Sequence, residues 1–239
     1  MKANLFSTTV FLTAASFAMS PLAIADNITY DTSLASPGFY NGTGNPNSGF
    51  TVDTVGNLEL GLGAIVRFVG PITPNPTNSN VYFASPGTSG GAALWDWEFS
   101  INTQAGGGTN TLSEFGYVLT ILDVGTNTIN SFDPSIIPDN SYYGPGGKTT
   151  NTPPSGAFGM QNAENNSFTG FLPGFNPNAN DTYDYTLQAF HGDTLIATDS
   201  IQVVVGSGAS VPEPKQTVLL SLMLACVSFF AWRKHRSVA

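Results

Sequence analysis

Leu94-Trp95-Asp96-Trp97-Glu98-Phe99-Ser100-Ile101 places a large apolar side chain at every second position. Successive side chains of an extended chain point to opposite faces. Trp95, Trp97, Phe99 and Ile101 therefore share one face, and Asp96, Glu98 and Ser100 share the other. The pattern predicts a strand with its aromatic face in a core. Asp96 and Glu98 are expected on the solvated outer face.

The same period of two recurs on either side of this stretch. In 57–70, Leu58, Leu60, Leu62, Ala64, Val66 and Phe68 alternate with Glu59, Gly61, Gly63 and Arg67. The run 115–124 is apolar on both faces, as expected of a central strand. The runs 183–190 and 195–205 are separated by His191-Gly192-Asp193-Thr194, which predicts a hairpin. Weaker strands are expected at 27–32, 49–55 and 80–84. Few periodic residues occur in 127–166, which is read as long loops with one short helical turn. About eight short strands without crossover helices predict an all-β fold, an antiparallel β-sandwich of immunoglobulin-like or jelly-roll-like kind. Tyr183 and Tyr185 fit either a tyrosine corner or two ordinary strand positions.

Both ends of the 239-residue chain differ from this middle. Lys2 precedes a moderately apolar run, 5–19, and then Ala23-Ile24-Ala25. This is the order of parts of a signal peptide, with the small residues Ala23 and Ala25 marking signal peptidase cleavage before Asp26. A short uncleaved anchor is the alternative, but the run is interrupted by Ser7, Thr8, Thr9 and Thr13. The expected division is a signal peptide at 1–25, an exported β-sandwich domain at 26–205, a flexible spacer at 206–210 and a terminal segment at 211–239. Between Asp26 and Ser210 two basic residues, Arg67 and Lys148, face fifteen acidic ones, a net charge of −13. Such a surface is repelled by phosphate backbones, which excludes nucleic acid as a partner. The single cysteine, Cys226, lies outside that region, so no disulfide staples the domain.

The terminal segment has three parts. Val211-Pro212-Glu213-Pro214 cannot form regular hydrogen bonding and stays extended, open to an enzyme cleft. A transmembrane helix is expected over 216–232, where 217–232 carries no charge. Sixteen helical residues span about 24 Å, slightly less than the roughly 30 Å of a bilayer's hydrocarbon core. Lys215 and Arg233 can snorkel to cover the difference. The basic tail 233–239, with Arg233, Lys234 and Arg236, resists translocation and leaves the preceding domain outside the cytoplasm.

On these residues the segment resembles the PEP-CTERM sorting domain of Gram-negative bacteria, also labelled an ice-binding protein C-terminal domain. The resemblance covers the last 29 residues. It implies that the chain is held in the inner membrane, processed by an exosortase, and released to the cell surface or medium. It also implies an association with exopolysaccharide and biofilm matrix. Val211, Pro212, Glu213 and Pro214 are then the recognition motif of a substrate. The exported region is similar to a group of PEP-CTERM proteins that share its Leu-rich strand at 57–62 and its Trp-x-Trp strand.

Chemistry within 26–205 is sparse. His191 is the only histidine there, no Gly-x-Ser-x-Gly elbow is present, and Thr88-Ser89-Gly90-Gly91 reads as a loop. One histidine without cysteine cannot furnish a zinc site. Oxygen ligands for calcium cluster in Asn178-Ala179-Asn180-Asp181 with Asp184, and in Asp123 with Asn127. Neither set matches a known calcium loop, and turn formation accounts for both without a metal. No catalytic residue, cofactor or metal is therefore assigned, and a non-enzymatic surface or matrix protein is expected. The alternatives are a carbohydrate-binding module, with Tyr142 and Tyr143 in a loop as stacking platforms, and a polysaccharide hydrolase using Asp96 or Glu98.

Overall fold

The computed structural model describes residues 27–35, 47–76, 79–145, 149–150, 154–168 and 170–208. The expected signal peptide with Ala23 and Ala25 lies outside these residues, as do the expected motif Val211–Pro214, the apolar run and the basic tail.

The described chain is all-β, in two main sheets. The larger contains β1 (Ile28–Ser33), β2 (Ser48–Val55), β3 (Leu58–Val66), β8 (Trp95–Asn102), β13 (Gly159–Glu164), β11 (Ser141–Tyr143) and β12 (Thr149–Thr150), in that order. A two-residue β4 (Gly70–Pro71) folds back onto the end of β3. The smaller sheet runs β10 (Thr128–Phe132), β9 (Gly116–Asp123), β14 (Asp181–His191), β15 (Thr194–Val205) and β5 (Val81–Ala84). The pairing of β15 with β5 is parallel, and every other described pairing is antiparallel. A tight hairpin, β6 (Thr88–Ser89) and β7 (Ala92–Ala93), replaces the loop expected at 88–91. Its turn residues Gly90 and Gly91 both have positive φ, which glycine adopts without a Cβ clash.

The two sheets meet across an aromatic layer. Trp97 stacks on Tyr185 with ring centroids 5.6 Å apart, and Trp95 on Tyr183 at 5.7 Å. Leu60, Leu62, Phe99, Ile101, Leu119, Ile121 and Leu187 fill the rest of the layer and are fully buried. Tyr185 also accepts a 2.6 Å bond from Asn166 Nδ2, so both tyrosines are core strand residues. The hairpin at 191–194 pairs His191 with Thr194, as the sequence predicts.

Three expectations need correction. The Leu-rich face of 57–70 does not extend to Phe68. β3 stops at Val66, and the turn 67–69 reverses the chain so that β4 pairs Gly70 with Val66. Phe68 then points outward. The stretch 127–166 has the expected short helical turn, Pro134–Ile136, but its loops also carry four short strands, β10, β11, β12 and β13. Hydropathy hides β13 because Gln161, Asn162 and Glu164 are polar yet buried. The run 115–124 forms an interior strand as expected, but only one of its faces is fully buried and the other is half-buried.

Trp97 touches Phe99, Phe171 and Tyr185. Truncating so large a buried ring leaves a cavity as well as losing transfer energy. Trp97→Ala is therefore expected to lower stability by about 3–5 kcal/mol, read from the urea midpoint of unfolding.

Candidate ligand cleft

Two short 3-10 turns flank one end of the inter-sheet layer. Leu112–Glu114 leads into β9, and Pro134–Ile136 follows β10. Each begins with a local signal in the chain. Glu114 Oε1 accepts from the Thr111 backbone N–H at 2.8 Å. Asp133 Oδ1 accepts from the Ser135 N–H at 2.8 Å, and Pro134 occupies the first turn position, where a missing N–H costs nothing. A tyrosine ties each turn to a sheet. Tyr117 of β9 donates to the Leu112 carbonyl at 3.3 Å, and Tyr142 of β11 donates to the Ser135 carbonyl at 3.2 Å.

Between the turns lies a cleft of about 460 Å³. Phe115, Tyr117, Tyr142 and Met160 supply apolar wall, and Asp133, Ser113, Ser135 and Ser155 supply polar groups. The exposed His191 ring stands edge-on to Phe115 at 6.1 Å. Burial, and then the charges of Asp133 and Glu114, push the Tyr117 phenol far above its ordinary value, so it remains a neutral hydroxyl. Apolar walls with a few hydroxyls and one carboxylate suit a neutral, polyhydroxylated ligand.

Tyr142 and Tyr143 do not form the loop platform expected of them. Both belong to β11 and point to opposite faces. Tyr142 is only 6% exposed and meets the cleft as part of its wall. Tyr143 is half-buried and packs edge-on against Phe158 at 5.1 Å. Phe115, Tyr117, Ser135 and Met160 were not singled out from the sequence. The Asp133-Pro134-Ser135 turn signature was readable there, but not what it would face.

Asp96 and Glu98 do project from the outer face of β8, yet they are buried rather than solvated. β3 and β13 flank β8 on both sides, and the outer face of this sheet is itself covered around Phe50 and Val52. Glu98 is 1% exposed, and its carboxylate oxygens have no hydrogen-bond partner among the described residues. Burial, reinforced by the charge of Asp96, holds it well above the usual carboxylate range. Asp96 accepts from Asn165 Nδ2 at 2.6 Å and lies 3.8 Å from Arg67 Nε. Neither carboxylate lines the cleft.

Other acids gather inside the fold. Glu164 accepts from Asn162 Nδ2 at 3.0 Å, and that amide also donates to Asp139 and Asn140. Burial, and then the nearby Asp139 charge, push Glu164 up to about 8. Asp199 is fully buried on β15 near Asp53 of β2, whose Oδ2 accepts from Thr198 N. Asp199 is likewise held well above the carboxylate range, mainly by burial. The first suggested calcium set does not assemble as read. Asp123 comes beside Asp181, and both accept backbone N–H groups of the turn 124–126. Asp184 faces away and accepts from Gln202. Among the described residues no three His, Cys, Asp or Glu side chains gather as a metal site.

No family model, no curated protein and no solved structure matches this chain.

A carboxylate whose folded pKa is raised keeps its proton longer in the folded state than in the unfolded one. Its contribution is then most favourable below about pH 4.5 and is lost as the pH climbs to about 8 for Glu164. The urea midpoint is expected to fall across this window. Glu164→Gln, which can still accept from Asn162, should flatten the fall and give the more stable protein at pH 8. An unchanged slope in a denaturation series at pH 4.5, 6 and 8 would refute the assignment.

Proposed function

We propose that this chain is an exported, non-enzymatic surface or matrix protein, tethered in the inner membrane by a PEP-CTERM segment and released by an exosortase. In this reading the two sheets form a sandwich of immunoglobulin-like or jelly-roll-like kind, carried outside the cytoplasm. The observation that carries it is the order of parts. The last strand ends at Val205, and Val211-Pro212-Glu213-Pro214 follows within ten residues, before an uncharged run to Trp232 and the basic Arg233, Lys234 and Arg236. A signal peptide ending at Ala23-Ile24-Ala25 is the necessary counterpart at the other end. Signal peptidase and an exosortase are then the processing partners, and the final location is the cell surface or the extracellular matrix. Deleting 211–214 should leave the protein in the inner-membrane fraction. Unchanged release to the surface or medium would sink the sorting reading.

A second reading, compatible with the first, is carbohydrate binding, and the cleft between the two 3-10 turns favours it. Phe115 is the half-buried aromatic in its wall, and its ring can stack on the apolar face of a sugar. Aromatic stacking contributes roughly 0.5–1.5 kcal/mol beyond area burial. Phe115→Ala should therefore weaken binding to matrix polysaccharide by up to about tenfold, measured by affinity electrophoresis. A parental protein that ignores every polysaccharide tested would remove the cleft from consideration.

A further inference from the structure

The two most exposed large apolar side chains do not lie at the cleft. Phe68 and Val69, each 80% exposed, form the tip of the turn after β3. Val66, Phe83 and Phe168, also exposed, continue the patch. Arg67 joins its parts, with its guanidinium 4.7 Å from the Phe68 ring and 5.5 Å from the Phe168 ring. Phe68 adopts φ +61, a left-handed conformation that costs a bulky residue about 1–2 kcal/mol. The turn thus holds an aromatic ring out in solvent at an energetic cost. Clustered exposed apolar side chains often mark an interaction site.

The position of the patch identifies the partner. β15 ends beside β5, where Val205 pairs with Ala84 and the Gly206 N–H bonds the Ala84 carbonyl. Ala84 and Phe83 line the same groove as Val66, Phe68 and Val69. The chain therefore leaves the folded domain at the edge of the patch. From Gly208 to the start of the apolar run at Thr217 only eight residues intervene, nine Cα–Cα steps with a reach of at most about 30 Å. A bilayer holding that run would lie within reach of this face. The chemistry also fits. The groove has no Asp or Glu in its lining, and Arg67 is the only lysine or arginine among the described residues. Most other faces of so acidic a domain would be repelled by anionic headgroups.

We infer that the turn Arg67–Val69, with Phe83 and Phe168, is a membrane-contact surface that seats the tethered domain on the bilayer. The inference rests on the anchoring reading above. Phe68 and Val69 enter the headgroup boundary, while Arg67, its charge offset by Asp96 3.8 Å away, braces the turn behind them.

The test uses the full chain with Cys226→Ser and a single new cysteine, reconstituted in vesicles of phosphatidylethanolamine and phosphatidylglycerol. Ser89→Cys places an environment-sensitive fluorophore in the groove. Asp193→Cys places it in the β14–β15 turn, at the far end of β15, a strand about 36 Å long at ~3.3 Å per residue. The expected result is blue-shifted emission at 89, quenched by spin-labelled lipid, with neither effect at 193. Adding Phe68→Ser and Val69→Ser should abolish the shift at 89. Co-floating vesicles with water-like emission at 89 overturn the contact surface alone. Failure of the chain to co-float overturns the anchoring reading and the surface with it. A shift that grows with protein density but is not quenched by lipid assigns the patch to a second copy of the chain and overturns the inference.

Discussion

Strand β8 is buried on both faces, and most of the structure follows from that. On its inner face Trp95 and Trp97 stack against Tyr183 and Tyr185 and join the two sheets. On its outer face Asp96, Glu98, Ser100 and Asn102 are carried into dry surroundings by the same pleat. A strand cannot present one face to a core without fixing where the other face goes. Gly63, opposite Glu98 on β3, shows how closely that face is packed. A Cβ there would lie 2.9 Å from Glu98 Oε1.

Buried polar groups are the second constraint. The single cysteine rules out an internal disulfide, and side-chain amides tie strands and turns together instead. Asn165 Nδ2 reaches the Ala93 and Trp95 carbonyls and the Asp96 carboxylate. Asn140 and Asn162 link the turn after β10 to β13. Such bonds matter less for their net energy than for the penalty of leaving the groups unmade. Their cost appears at the carboxylates. Glu98, Glu164 and Asp199 lie in surroundings that disfavour charge, so each contributes most to stability while it keeps its proton.

The two candidate working surfaces lie apart in the fold and differ in kind. The cleft is framed by neutral hydroxyls and short turns, which suits a polar ligand with an apolar face. The Phe68 patch is exposed, uncharged except for Arg67, and placed where the chain departs. In the proposed scheme one surface faces the matrix and the other the membrane, and cutting the tether would free both.

Period-two alternation was enough to locate β3, β8, β14 and β15, because each sets apolar side chains on one buried face. It also placed Trp95 and Trp97 in the core, and the 191–194 hairpin followed from Gly192 and Asp193. The order of spacer, Pro-Glu-Pro stretch, apolar run and basic tail is likewise written in the chain, and the proposed sorting role draws on that linear composition alone. Tertiary structure alone decided the rest. β13 escaped detection because its polar side chains are satisfied by partners 20 to more than 100 residues away, such as Asn140 and Asn47. Glu98 looked solvent-facing because alternation reveals which side chains share a face but not whether that face is covered. The cleft and the Phe68 patch are built from segments distant in sequence, and only packing brings those together.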